Sequence, residues 1–224
     1  MKMKKILFIT IIGLLLISCG KDNYDSPSSI IEGKITYQGE TLGLRGTGEA
    51  IKLQLYQDGY DKKDPVAVYV GQDGSFRSVL FNGEYKLVTS DRNGPWKNSR
   101  DTTYISLKGK ATVELEVIPY FTITNETLKL NDNSYEITFD INQIVKEAKI
   151  AKVILLLSKT TFVDDANNIL RQDITDNIKV GNNTFYVNIS DNENVSKAKA
   201  LFGRVGVLTE GADQAIYSKI ERLR

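Results

Sequence analysis

From Ile30 onward the apolar residues of this chain recur at every second position, and that period restricts it to strands with one wet and one dry face. Ile51, Leu53 and Leu55 alternate with Lys52, Gln54 and Tyr56, and Val113, Leu115 and Val117 with Thr112, Glu114 and Glu116. Tyr135, Ile137, Phe139 and Ile141 alternate with Glu136, Thr138 and Asp140; Phe185, Val187 and Ile189 alternate with Tyr186, Asn188 and Ser190. Such strands hide their dry faces when antiparallel sheets pack against each other. The expected fold class is therefore all-β, with two antiparallel β-sandwiches in tandem. Val153 to Leu157 is apolar on both faces and reads as a central strand. A short helix is expected near Ile141 to Ala151, where Ile141, Ile144, Val145 and Ala148 share a side.

Turn residues divide the strands at Gln72-Asp73-Gly74, Asn82-Gly83, Asn93-Gly94-Pro95 and Gly181-Asn182-Asn183. Pro119 falls between a strand ending near Ile118 and one starting near Phe121, which places a domain boundary there. The expected domains are 30–118 and 119–224, joined by a connection short enough to fix their arrangement.

The first residues read differently. Lys2, Lys4 and Lys5 precede an apolar run from Ile6 to Ile17, a basic n-region and an apolar h-region of a secretory signal. The run is too short for a hydrocarbon core, which needs about twenty residues. It ends in Leu16-Ile17-Ser18-Cys19, which matches the bacterial lipobox, and Cys19 is the sole cysteine. Residues 1–18 are thus expected to be a lipoprotein signal peptide and 19–29 a polar tether, with the membrane as partner through a lipid on Cys19. Lys21-Asp22 and Asp25 resemble the signal that sends Bacteroidetes lipoproteins to the cell surface; the alternative is a plain tether. Removing residues 1–18 takes away three lysines, so the formal charge moves from +1 to −2. A near-neutral chain gives no electrostatic reason to expect nucleic acid as a partner. With no second cysteine, stability must come from packed cores.

Ile31-Glu32-Gly33-Lys34-Ile35, the glycine-rich stretch from Gly39 to Gly48, Asp73-Gly74-Ser75-Phe76 and Gly83-Glu84-Tyr85-Lys86-Leu87 together resemble the transthyretin-like, carboxypeptidase-regulatory-like sandwich. In that pattern Gly74 suits a tight hairpin, and Phe76 and Tyr85 face the core. Asn93-Gly94-Pro95-Trp96, Arg204-Val205-Gly206 and Gly211-Ala212-Asp213 through Tyr217-Ser218 extend the likeness. The mature chain resembles a family of Bacteroidetes lipoproteins of unknown function, in which such a domain precedes a fibronectin-like or immunoglobulin-like sandwich. The resemblance implies an outer-membrane location beside porin and glycan-capture lipoprotein complexes of the starch-utilisation type, with glycan as a partner. Its motifs are structural and imply no activity.

The residue inventory closes several routes to catalysis. There is no histidine, which removes Ser-His-Asp and Cys-His machinery and histidine metal sites. No P-loop or dinucleotide-binding glycine pattern appears. The chain is expected not to be an enzyme, with no catalytic residues, metal or cofactor. A two-carboxylate glycosidase stays open as an alternative, since 28 acids are present and nothing singles out two of them. Asp58, Asp61 and Asp64, and Asp164-Asp165 with Asn167-Asn168, do not follow the calcium-loop pattern and read as turn residues.

The candidate ligand site is the polar loop from Asp91 to Asp101, which carries the sole tryptophan. Sugars offer flat apolar faces rimmed by hydroxyls, so an exposed Trp96 would stack on them while Arg92, Asn93 and Asp101 hydrogen-bond. The alternative has Trp96 closing the sandwich edge or packing at the domain interface. Asp101-Thr102-Thr103 resembles an O-glycosylation acceptor, or else begins a strand. Two functions are thus set against each other. One is a surface accessory lipoprotein of a glycan-binding or uptake system; the other is a structural spacer or protein-interaction module.

Overall fold

A computed structural model describes residues 25–59, 62–99 and 101–224, so the signal segment, Cys19 and Asp61 lie outside the described residues. The architecture is all-β, as the alternation predicts. In the N-terminal half, β1 (Ser29–Tyr37) pairs antiparallel with the two-residue β2 (Glu40–Thr41) and with β5 (Ser75–Leu80). It also pairs with β8 (Lys110–Glu116), and this ladder is parallel. That departs from a purely antiparallel expectation. No tight hairpin ties β8 to β1, so nothing local dictates its direction. The facing sheet runs β4 (Val66–Tyr69), β3 (Lys52–Gln57), β6 (Gly83–Thr89), β7 (Thr103–Leu107). Between the sheets lie Ile31, Ile35, Leu53, Leu55, Leu87 and Leu107, all buried. Gly74 takes φ +73° in the turn before β5, and Phe76 and Tyr85 are buried, as expected.

In the C-terminal half, β13 (Gly181–Asn188), β10 (Ser134–Gln143) and β9 (Phe121–Leu130) form one antiparallel sheet. The other contains β12 (Leu170–Ile174), β11 (Ile150–Ser158), β14 (Phe202–Thr209), β15 (Ile216–Tyr217) and β16 (Glu221–Arg222). Tyr135, Ile137, Phe139 and Ile141 of β10 are completely buried. Val153, Leu155 and Leu157 of β11 meet the same core, while Ile154 and Leu156 pack on Val163, Ala215 and Tyr217. Both faces of β11 are therefore covered, which is why its sequence does not alternate.

Two local expectations fail. No helix forms over Ile141 to Ala151: Ile141 completes the inward row of β10, and the Gln143 amide binds the Lys146 and Ala148 carbonyls across the turn into β11. Gly181-Asn182-Asn183 is no turn, but the start of β13, paired with Phe139 to Ile141. The described helix is a single turn, α1 (Glu193–Ser196), capped by the Asn192 side chain on Val195 N.

Three fasteners join the halves. The linker is held on both sides: Lys97 N donates to Ile118 O, Tyr120 N to Pro95 O, and Ile144 N to Tyr120 O. A strap over residues 42–47 lies against the C-terminal half, where Tyr217 N donates to Gly43 O at 3.0 Å and Thr47 bonds the Asp164 carboxylate through both N and Oγ1. Finally, Arg204 of β14 reaches across, giving Nη1 to Leu44 O and Nη2 to Gln72 O, both at 2.9 Å. One apolar core runs through both halves.

Candidate functional site

The loop after β6 does not present the stacking platform expected of it. Trp96 is only 2% exposed and bridges to Pro119, so its indole packs at the junction of the halves. Arg92 is exposed and makes one surface ion pair: its Nη2 meets Asp213 Oδ1 at 3.1 Å, and its carbonyl accepts from Asp213 N. Asn93 is used up by the main chain, accepting from Lys52 N at 2.7 Å and donating to Ala50 O at 2.8 Å. Asp101 is bound by Ser99 through both its main chain and its carboxylate. Trp96 and Asp101 do border one groove of about 450 Å³, but Arg92 and Asn93 do not reach it. The stacking role expected of Trp96 is thereby corrected: the residue takes its alternative place, packed at the junction of the domains. A tryptophan next to Pro95 is pulled to the linker by its apolar surface, and spacing alone does not reveal that.

The structure assembles a different site. Where the halves meet, a cleft of about 720 Å³ opens between the β1–β2 hairpin and the ends of β9 and β10. Tyr37 and Gln38 line it from the N-terminal half; Thr122, Thr124, Asn125 and Asn142 line it from the other. Thr122 and Thr124 alternate outward along β9 and Asn142 along β10, whose other faces are in the core, while Gln38 comes from the β1–β2 turn. Thr122, Thr124 and Asn142 are cross-strand neighbours, and Asn142 Nδ2 donates to Thr124 Oγ1 at 2.9 Å and Thr122 Oγ1 at 3.3 Å. Asn125 sits at a bulge, where the β9–β10 register shifts, with φ +54°. Its Nδ2 donates to Asp140 Oδ2 at 2.7 Å, and Asn182 Nδ2 donates to Asp140 Oδ1 at 2.9 Å. These two amides, Asn125 foremost, hold the Asp140 carboxyl below the ordinary aspartate range.

Across the cleft, Gln38 N donates to Glu116 Oε1 at 2.6 Å and Gln38 Nε2 to the Tyr37 hydroxyl at 3.2 Å. Thr36 Oγ1 donates to the other Glu116 oxygen. None of these cleft residues was legible as a site. They come from four separated stretches of chain, and threonine and asparagine on an open strand face are ordinary surface residues. The only local signal is Gln38-Gly39, a hairpin turn with positive φ at both residues and a glutamine where asparagine is favoured.

Among the described residues no cluster of three or more acidic or cysteine side chains is placed to hold a metal ion. Asp164 is fully buried and spends its carboxylate on Thr47, Ala166 N and Asn167 N, a turn-and-strap role. Desolvation and, more weakly, Glu126 push the Glu221 carboxyl up. Glu126 lines the cleft, but Glu221 lies in β16 against Gly203, outside it.

Two family models match the chain. Residues 29–118 match the N-terminal domain of a protein of unknown function, DUF3823, and residues 121–222 match the domain of unknown function DUF3823_C. No curated protein matches it. Among solved structures, a DUF3823 family protein from Parabacteroides merdae is 55% identical with a TM-score of 0.86, covering 89% of this chain and 100% of its own. One from Bacteroides ovatus is 30% identical with a TM-score of 0.79, covering 87% and 98%. A Bacteroides uniformis protein described as a "putative carbohydrate binding protein" is 17% identical with a TM-score of 0.74, covering 89% and 100%, a likeness of fold.

Proposed function

Because this chain belongs to the DUF3823 family, matched along both halves, we propose that it is a lipid-anchored, non-catalytic accessory protein of a surface glycan-binding or uptake system, with the interdomain cleft as its glycan site. The observation that carries this reading is the cleft itself. It is about 720 Å³, the size of an oligosaccharide or drug-like ligand site, and it is rimmed by hydroxyls and amides with Tyr37 as an aromatic wall. A protein of the same fold is described as a "putative carbohydrate binding protein", which agrees with it. The Leu16 to Cys19 motif supports the anchor. Strand β1 then carries the chain away from the tether for nine residues, roughly 30 Å at about 3.3 Å each, before it reaches Tyr37. An anchored molecule would hold the cleft clear of the bilayer on the far end of that strand.

The fasteners between the halves favour a second reading, a rigid spacer or partner surface in the envelope. A glycan array probed with the wild-type chain and with Tyr37→Ala separates the two. The glycan reading expects binding that weakens at least about tenfold, about 1.4 kcal/mol, in the variant. Binding indifferent to Tyr37 would move the site away from the cleft. A silent array would leave the spacer, and crosslinking for a protein partner would follow.

A further inference from the structure

Resting on the reading of the cleft as a glycan site, we infer that it selects neutral oligosaccharides over uronate-bearing or sulfated ones, and that Gln38 and Asn125, one from each domain, are its specificity-determining residues. Both hold φ in the left-handed region, +52° and +54°, where glycine sits more easily than any side chain. Both are exposed and border the same cleft. Five described non-glycine residues hold such a φ, and two of them border this cleft; asparagine adopts it readily, so Gln38 is the less usual of the pair.

The hydrogen bonds fix how the amides face a ligand. Asn125 Nδ2 gives one N–H to Asp140 and keeps the other, while Asn142 Nδ2 gives both to Thr122 and Thr124; the two Oδ1 atoms accept no bond from the described residues. Gln38 Nε2 gives one N–H to the Tyr37 hydroxyl and keeps the other, Gln38 Oε1 accepts no bond from the described residues, and the Tyr37 hydroxyl keeps its proton to donate. The Thr122 and Thr124 hydroxyls accept from Asn142 and likewise keep theirs. The cleft therefore offers amide oxygens as acceptors interleaved with hydroxyl and amide N–H donors. Sugar hydroxyls, each a donor and an acceptor, answer both; a carboxylate or sulfate in a hydroxyl's place only accepts, so an amide oxygen facing it loses its donor.

Charge acts in the same direction. Glu40 and Glu126 line the cleft against one cation, Lys219. Glu116 lies behind Gln38, and Asp140 lies behind Asn125. An anionic sugar would meet this excess of carboxylates, and repulsion of that kind is how a site discriminates between ligands of similar shape.

The test measures affinity of the full chain, in detergent, for galacto-oligosaccharides and for oligogalacturonate of the same length, alongside neutral gluco- and manno-oligomers. At low salt a neutral oligomer is expected to bind at least about tenfold tighter than the uronate, with the gap narrowing as salt is added. Glu40→Gln with Glu126→Gln should narrow it too. Gln38→Gly relieves the left-handed backbone and should melt close to wild type, whereas Asn125→Gly also gives up its bond to Asp140 and should stay folded with a lower melting point; each should lose about tenfold or more in affinity for the neutral oligomer. Equal binding of uronate and neutral chains, or Gly variants that bind like wild type, would overturn the inference while leaving the cleft as a glycan site. Failure of every oligosaccharide to bind, or binding untouched by Tyr37→Ala, would instead overturn the reading beneath it.

Discussion

Arg204 is 1% exposed, yet its partners are main-chain carbonyls rather than a carboxylate. Nε donates to Ser218 O, Nη1 to Leu44 O and Val163 O, and Nη2 to Gln72 O, while the guanidinium stacks 4.7 Å from the Tyr217 ring centroid. Burial pushes its pKa down to about 10, so it remains charged at neutral pH. Removing such a group leaves several buried carbonyls without donors, each worth about 1–3 kcal/mol. Arg204→Met should therefore lower stability by about 3 kcal/mol or more in urea titration; an unchanged midpoint would refute the role given to it. Asp140 gives a pH prediction. Its folded pKa lies below the ordinary value of 3.8, so its contribution is present above 3.8 and is lost as pH falls through the lower folded value. Melting curves of wild type and Asp140→Asn should be separated at neutral pH and converge at acid pH below 3.8. At this level the sequence was a poor guide. Arg204 stood out only as part of a family resemblance, and Trp96 drew attention for a role its burial denies it.

The strap over residues 42–47 works because Gly43 has no side chain. A Cβ there would lie 2.3 Å from Tyr217 O and 3.0 Å from Ser218 O, both main-chain atoms that cannot swing aside. Gly43→Ala is expected to lift the strap from β15 and destabilise by about 1–3 kcal/mol, the usual range for overpacking. Limited proteolysis should then cut near residues 43–47 faster than in wild type. Strands themselves were the most legible feature. The alternation in β3, β8, β10 and β13 follows directly from one face being dry, and β11 broke it because a second layer covers its other face. The missed helix and the missed turn have one cause. Ile141 and Gly181 fit a local pattern equally well, but the ladder between β10 and β13 claims both.

The two halves share one core, and Trp96 sits at their junction. Unfolding followed by the single tryptophan's emission should therefore coincide with unfolding followed by far-ultraviolet circular dichroism, in one cooperative transition. Combining Gly43→Ala with Arg204→Met should split it in two; separated transitions already in wild type would show that the fasteners do not couple the domains. The chain's period of two settled that it is all-β, and its turn residues settled where most strands end, since both depend on neighbours within a few positions. The lack of histidine likewise narrowed the chemistry before any contact was known. The cleft is different in kind. Tyr37 and Gln38 lie more than eighty positions from Thr122, Asn125 and Asn142, and only the docking of one sandwich on the other brings their amides and hydroxyls to a common space. Whether a threonine on a strand is plain surface or the wall of a site is decided by what packs opposite it, and that is a property of the tertiary structure alone.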